Sequence, residues 1–194
     1  MSKQFPTPFG TEALDLAAEN ELLRASLAET QERVRELERL ADSDALTPLA
    51  NRRRFLRELE RVVGQSDRHG TPAAVLFIDL DGLKTINERH GYLAGDAALI
   101  HVAELLNSLI RSTDILARIG GDEFGLILDH LDHNSAIETA ERLARCIAEN
   151  PLDLGHARVR LESAVATTGI MPGDKLNEVL ARAERNQALA RAED

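Results

Sequence analysis

Between Ala13 and Ala41 the apolar positions recur in alternating steps of four and three. Leu16, Asn20, Leu23, Leu27, Thr30, Val34, Leu37 and Ala41 mark the seam, and six of the eight are apolar. This is the heptad pattern of a helix that pairs along a stripe. The segment holds neither Gly nor Pro, and glutamates and arginines fill the positions between. Leu16, Leu23 and Leu37 fall at d; Asn20, Leu27, Val34 and Ala41 fall at a. A buried Asn at a favours a parallel two-stranded coiled coil, where two amides satisfy each other. The plainer alternative is a single helix folded back on its own domain. Residues 1–11, with two Pro, one Gly and two Phe, read as a flexible tail. The expected organisation is a tail over 1–12, a coiled-coil dimerisation helix over 13–41, and a domain over 42–194.

Beyond residue 42 the pattern alternates between helical and extended. It predicts a helix over 51–64, a buried strand over 73–79 and helices over 82–90 and 96–112. Residues 115–119 and 124–128 flank Gly120-Gly121-Asp122-Glu123 and predict a hairpin. A helix over 135–149, a strand over 157–168 with Val159, Leu161, Ser163 and Val165 alternating, and a helix over 175–192 follow. The expected fold is α/β (α+β), a central, mostly antiparallel sheet flanked by helices.

Composition narrows the function. Hydrophobic residues are 43% and charged residues 29%, enough to bury a core. Aromatics are 3%, with no Trp, which argues against a stacking platform for single-stranded nucleic acid. The formal net charge is −10, so DNA, RNA and anionic lipid are disfavoured partners. Cys146 stands alone, excluding an internal disulfide and a Cys-rich zinc site; its place on an amphipathic helix makes it a core candidate. His130 and His133 fall in a polar turn and read as solvated loop residues. With no apolar run of membrane-spanning length and no signal-peptide core, the cytoplasm is the expected compartment.

The chemistry sits in acids. Asp79 ends an apolar strand, and Asp122 and Glu123 occupy the hairpin tip. Carboxylates gathered at adjacent strand ends repel unless a cation neutralises them. Oxygen ligands without His or Cys select Mg²⁺ or Mn²⁺, commonly with substrate phosphates completing the shell. Such a set points to metal-assisted phosphoryl or nucleotidyl transfer. On spacing alone, ordinary turn acids explain the same residues.

The string Arg118-Ile119-Gly120-Gly121-Asp122-Glu123-Phe124 resembles the signature of the GGDEF family, the bacterial diguanylate cyclases. Other blocks resemble the family in order and spacing. They are Asp44-Ala45-Leu46-Thr47-Pro48-Leu49-Ala50-Asn51-Arg52-Arg53, the run Phe77 to Asn87, the loop Gly91 to Asp96, and Arg111-Ser112-Thr113-Asp114, with five residues between it and Gly120. The resemblance implies the fold of the nucleotidyl cyclase and polymerase palm. It implies condensation of two GTP into cyclic di-GMP and pyrophosphate across a homodimer, each 3′-hydroxyl attacking the other nucleotide's α-phosphorus. By matched position, Asp79, Asp122 and the Leu80 carbonyl would ligate Mg²⁺ or Mn²⁺. Asp122 or Glu123 would be the base, and Lys84 would contact phosphates. Asn87 and Asp96 would read the guanine edge, Gly120 and Gly121 would admit a phosphate, and Arg191 would stand where the family has a phosphate-contacting lysine. Arg111 and Asp114 would form the inhibitory product site, with Arg142 as an added arginine.

The chain departs from the pattern in places. Leu83 and Tyr92, at substrate-contact positions, replace Phe and His. Ser163-Ala164-Val165 lacks the strand glycine, and the last helix lacks the family's Tyr. Two further readings therefore stand beside an active cyclase: a silent receptor for cyclic di-GMP or GTP, and a scaffold. The activating input and any signalling partner are not legible.

Overall fold

The computed structural model describes residues 9–193. The chain divides after Ala41 into two units. In the first, α1 spans Phe9–Asp42. Leu16, Leu23, Leu27, Val34 and Leu37 along the predicted seam are 46–65% exposed. Most of the segment read as a tail, residues 1–8, lies outside the described residues. Helix is already present at Phe9.

The second unit is a five-stranded sheet in the order β1-β3-β4-β2-β7. Its strands are β1 (Ala50–Asn51), β2 (Ala73–Leu80), β3 (Ile115–Arg118), β4 (Glu123–Asp129) and β7 (Ser163–Ile170). Only β1 and β3 run parallel; the remaining pairs are antiparallel. The helices are α2 (Arg52–His69), α3 (Leu83–His90), α4 (Tyr92–Leu109), α5 (His133–Glu149) and α6 (Leu176–Glu193). The fold class is therefore the expected one.

β2 explains the layering. All eight of its residues are buried, as for a central strand covered on both faces. Because side chains alternate, Ala74, Leu76, Ile78 and Leu80 enter one core with Leu99, Val102 and Leu106 of α4 and Leu143 and Ile147 of α5. Ala73, Val75 and Phe77 enter the other with Phe55, Leu59 and Val62 of α2 and Val179 and Ala183 of α6. The second core contains a close approach. A Cβ on Gly125 would lie 2.6 Å from the Phe55 ring, and Phe55 is fully buried against Phe77, ring centroids 6.0 Å apart.

Three predicted boundaries change. α2 runs on to His69, where Gly70 at φ 64 stops it by donating its N–H to the Ser66 carbonyl. α4 begins at Tyr92, directly after Gly91, so Gly95 lies inside it. The strand expected over 157–168 is two pieces. β6 (Arg158–Val159) pairs with β5 (Leu152–Asp153) in a separate ribbon, while β7 starts at Ser163, opposite the last residue of β2, Leu80. The more buried positions are also of the other parity: Ala164, Ala166, Thr168 and Ile170. Cys146 is half-buried rather than fully in the core. Among the described residues no helix is long and apolar enough to cross a membrane.

Asp42 opens the second unit. It is buried, and its carboxylate accepts from Arg57 Nη2 at 2.5 Å and Arg53 Nη2 at 2.6 Å. Hydrogen bonds from Arg57 and Arg53 lower its pKa from 3.8 to about 2. A folded-state value below the unfolded one stabilises the fold above the unfolded pKa, and the contribution is lost as pH falls through the folded value. Asp42→Asn should therefore be less stable than the parent near neutral pH. The difference should shrink between pH 3.8 and about 2, as read by urea unfolding across that window.

Candidate functional site

The alternation of β2 decides where its last acid points. Asp79 has the parity of Val75 and Phe77, so it faces α6. Register then places Glu123 opposite Asp79 across β2 and β4, and directly paired residues share a face. The Leu80 N–H donates to the Asp122 carbonyl at 3.0 Å, drawing the Gly-Gly turn against the end of β2. Thus Asp79, Leu80, Asp122 and Glu123 come together from two stretches forty residues apart in the chain.

Arg191, in the last turn of α6, meets this group. Its Nε lies 2.5 Å from Asp79 Oδ2 and its Nη2 lies 2.8 Å from Glu123 Oε1. Gln187 Nε2 also donates to Glu123 Oε1, at 3.4 Å. The other Asp79 oxygen, Oδ1, is buried with no hydrogen-bond partner. Burial pushes the Asp79 carboxyl above the ordinary carboxylate range. Arg191 opposes that shift, and the negative charges of Asp122 and Glu123 add to it. An orphaned buried carboxylate oxygen costs free energy and is a place for a missing partner.

Two residues that the sequence reading left without a role build the turn. Arg118 Nη2 and Nε donate to the Gly121 carbonyl at 2.7 and 3.2 Å, and Nη1 reaches Asp44 Oδ1 at 3.4 Å. Asp44 Oδ1 also accepts from the Thr47 N–H and hydroxyl, each at 2.8 Å, and from the Leu46 N–H at 3.2 Å. Burial works against the Asp44 carboxylate, yet the Thr47 hydrogen bonds and the Arg118 charge hold its pKa below the usual value. The signal was present, since Asp44, Thr47 and Arg118 all lie in quoted motifs; their meeting was not. A Cβ on Gly120 would lie 2.7 Å from the Glu123 carboxylate and force that side chain to shift, whereas Gly121 faces open space.

A second group forms where α3 and α4 join through Gly91 alone. Asn87 Oδ1 is buried without a partner and lies against Gly95, where a Cβ would approach it to 1.9 Å. Asp96, next in the chain, is exposed. Tyr92 and Leu93 are 81% and 85% exposed at the start of α4. Leu83 packs against the first core. Lys84 points outward and lies 3.9 Å from Glu88.

Arg111 and Asp114 lie at the other end of β3 from the Gly-Gly turn. Asp114 Oδ2 accepts the Arg111 N–H at 2.9 Å, and the Asp114 N–H donates to the Arg111 carbonyl at 3.0 Å. Both line a cavity of about 260 Å³. Arg142 is outside that lining; its Nη2 donates to the Leu109 carbonyl at 3.4 Å.

Residues 41–194 match the family described as "Diguanylate cyclase, GGDEF domain". The chain belongs to the GGDEF family. It is 38% identical over 159 residues to the bifunctional diguanylate cyclase/cyclic di-GMP phosphodiesterase MucR of Pseudomonas aeruginosa, covering 82% of this chain and 22% of that protein. It is 40% identical over 126 residues to the probable diguanylate cyclase DgcE of Escherichia coli, covering 65% of this chain and 11% of that one. The chain thus spans less than a quarter of either relative. Among solved structures, the GGDEF domain of TpbB (YfiN) from Pseudomonas aeruginosa superposes with a TM-score of 0.74 at 30% identity, over 78% of this chain and 90% of that one. The coiled coil and GGDEF domain of DgcB from Caulobacter crescentus, in complex with c-di-GMP, shares the fold with a TM-score of 0.82 at 23% identity, over 92% and 95% of the two chains.

The contact between Gly95 and Asn87 in this GGDEF domain predicts a reversal of sign. Gly→Ala inside a helix ordinarily stabilises by about 0.5–1 kcal/mol. Here Gly95→Ala should destabilise by about 1 kcal/mol, because the new methyl must expel the Asn87 amide. In an Asn87→Ala background the same change should become neutral or stabilising. A double-mutant cycle by denaturant unfolding reads the coupling.

Proposed function

We propose that this chain is a diguanylate cyclase, joining two GTP molecules into cyclic di-GMP with release of two pyrophosphates. The observation that carries the reading is the meeting of Asp79, Asp122 and Glu123 at one sheet end, with a buried Asp79 oxygen left unpartnered. The family match and the diguanylate cyclases among its relatives support it.

The donor set fits a hard divalent cation. Among the described residues no group of three or more His, Cys, Asp and Glu side chains is placed to hold a metal ion. A Mg²⁺ site of one or two carboxylates with substrate phosphates needs none. Asp79, Asp122 and the Leu80 carbonyl would hold Mg²⁺ or Mn²⁺, which supplies charge stabilisation at the phosphates and acidifies a bound hydroxyl. Asp122 or Glu123 would serve as the base for the 3′-hydroxyl proton; the Asp122 side chain has no protein partner among the described residues. Glu123 is engaged by Arg191 and Gln187. Each new O–P bond forms at an α-phosphorus as the bond to the departing pyrophosphate breaks. Asn87 and Asp96 present amide and carboxylate groups to the guanine edge, with Leu83 and Tyr92 beside them. Lys84, exposed on α3, and Arg191 contact phosphate, and Gly120 and Gly121 admit it. Arg111 and Asp114 bind product, with Arg142 near the same helix end.

Each domain holds one nucleotide, so the reaction needs two domains face to face. The exposed leucines of α1 supply the means: two copies burying the 13–41 seam in parallel would raise the effective concentration of the second half-site. The coiled coil over 13–41 and the catalytic domain over 42–194 form the proposed organisation, acting in the cytoplasm.

A second reading is favoured by one contact. Arg191 already neutralises Asp79 and Glu123, so a domain that keeps this pairing is a silent receptor for cyclic di-GMP or GTP.

Two measurements separate the readings. Incubation with GTP and Mg²⁺ should yield cyclic di-GMP by chromatography, at a rate rising faster than linearly with dilute protein, and Asp122→Ala should yield none. Absence of product from the parent at every concentration would refute the cyclase, and calorimetric binding of cyclic di-GMP or GTP without turnover would then support the receptor reading. Independently, Arg191→Ala leaves Asp79 and Glu123 without their counter-charge. Magnesium ions should therefore raise its melting temperature by several degrees more than they raise the parent's.

A further inference from the structure

Helix α2 opens with Arg52, Arg53 and Arg54 and has no acidic residue in its first turn. Three cations at the positive end of a helix dipole are locally unfavourable. A broken local rule calls for a compensating contact. Arg53 has one in Asp42 at 2.6 Å, and Arg52 Nη1 donates to the Ile119 carbonyl at 3.4 Å. Arg54 has none: its backbone N–H is taken by the Asn51 cap, and among the described residues no protein group holds its guanidinium. Instead it lines the cavity of about 260 Å³ that also holds Arg111, Asp114 and Asn107. The Arg111 guanidinium is likewise unheld, since both contacts of Arg111 with Asp114 run through its backbone.

We propose that Arg54 is a second phosphate-binding arginine of this cavity, contributed by the same subunit and facing Arg111. The inference rests on the reading of Arg111 and Asp114 as a cyclic dinucleotide site and extends it. Arg54, Arg111 and a single acidic residue, Asp114, line one small concavity, a local excess of positive charge on a chain of net charge −10. An anion relieves their repulsion, and a guanidinium fork matches two phosphate oxygens. The carboxylate of Asp114 and the Asn107 amide suit a base edge with adjacent donors and an acceptor, as guanine has. The ligand class is thus a guanine phosphodiester held from two walls: Arg111 from the α4–β3 turn and Arg54 from the first turn of α2. Arg142, bonded to the Leu109 carbonyl, need not complete the site.

The test is calorimetric titration of cyclic di-GMP into the full chain. The parent binds, and Arg111→Ala loses binding. Arg54→Ala should weaken binding by about tenfold, the scale of one charge-assisted contact, and Arg54→Lys should recover only part, because an ammonium keeps the charge without the fork. Melting curves check that each variant is folded, and Arg54→Ala should melt no lower than the parent once a cation leaves the α2 N-terminus. Parent-like affinity of Arg54→Ala, with Arg111→Ala impaired, overturns this proposal and leaves the cavity's reading intact. Parent-like affinity of Arg111→Ala, or no binding by the parent, overturns the reading beneath it.

Discussion

The arrangement turns on the repulsion between two carboxylates that a sheet forces to share one face. Asp79 and Glu123 are a registered pair on adjacent strands, and neither can turn away without breaking the alternation that buries Phe77 and Val75 below them. Opposed like charges destabilise a sheet, so the pair demands a positive partner. That partner is Arg191, bridging both acids. The helix that carries it is anchored separately, by Val179 and Ala183 in the second core and by Asn186 donating to the Thr167 carbonyl and the Thr168 hydroxyl. The cation is therefore delivered by a packed helix end.

Around this pair the chain gives up local helix and turn stability for position. Gly95 sits in the first turn of α4, where alanine would ordinarily serve better, because the space belongs to the Asn87 amide. Gly120 leaves room for Glu123, and Gly125 leaves room for the Phe55 ring. Arg118 and Asp44 spend their charges on one carbonyl and one loop, fixing the Gly-Gly turn from beneath. Three arginines crowd the N-terminus of α2, two of them tied to Asp42 and Ile119. Apart from Gly125, which serves the packing of the second core, each exception lies beside a group with a proposed role, which is where exceptions to local propensity are expected.

Legibility followed the range of the interaction. The hairpin was readable to within a residue or two, because Gly-Gly-Asp-Glu between two apolar runs is a local instruction. The buried strand over 73–79 was equally plain from its unbroken apolar run. The strand over 157–168 was not, because Val159, Leu161, Ser163 and Val165 alternate equally well whether they form one strand or two. Its break is set by where β2 ends and by the pairing of Arg158 with Asp153 in a different ribbon. Gly95 hid the start of α4, since a glycine after Gly91 reads as loop until Asn87 is seen against it.

By itself the sequence determined the family, the order of most elements and the identity of the acids, because periodicity, turn chemistry and motif spacing act within a few residues. It also placed a heptad stripe on α1, which the fold leaves exposed. Only the tertiary structure decided that Arg191 lies on the acids rather than in solvent, that Arg118 braces the turn through Asp44, and that Arg54 shares a cavity with Arg111. Those outcomes depend on strand register and helix placement between residues fifty or more positions apart, and no local pattern carries that information.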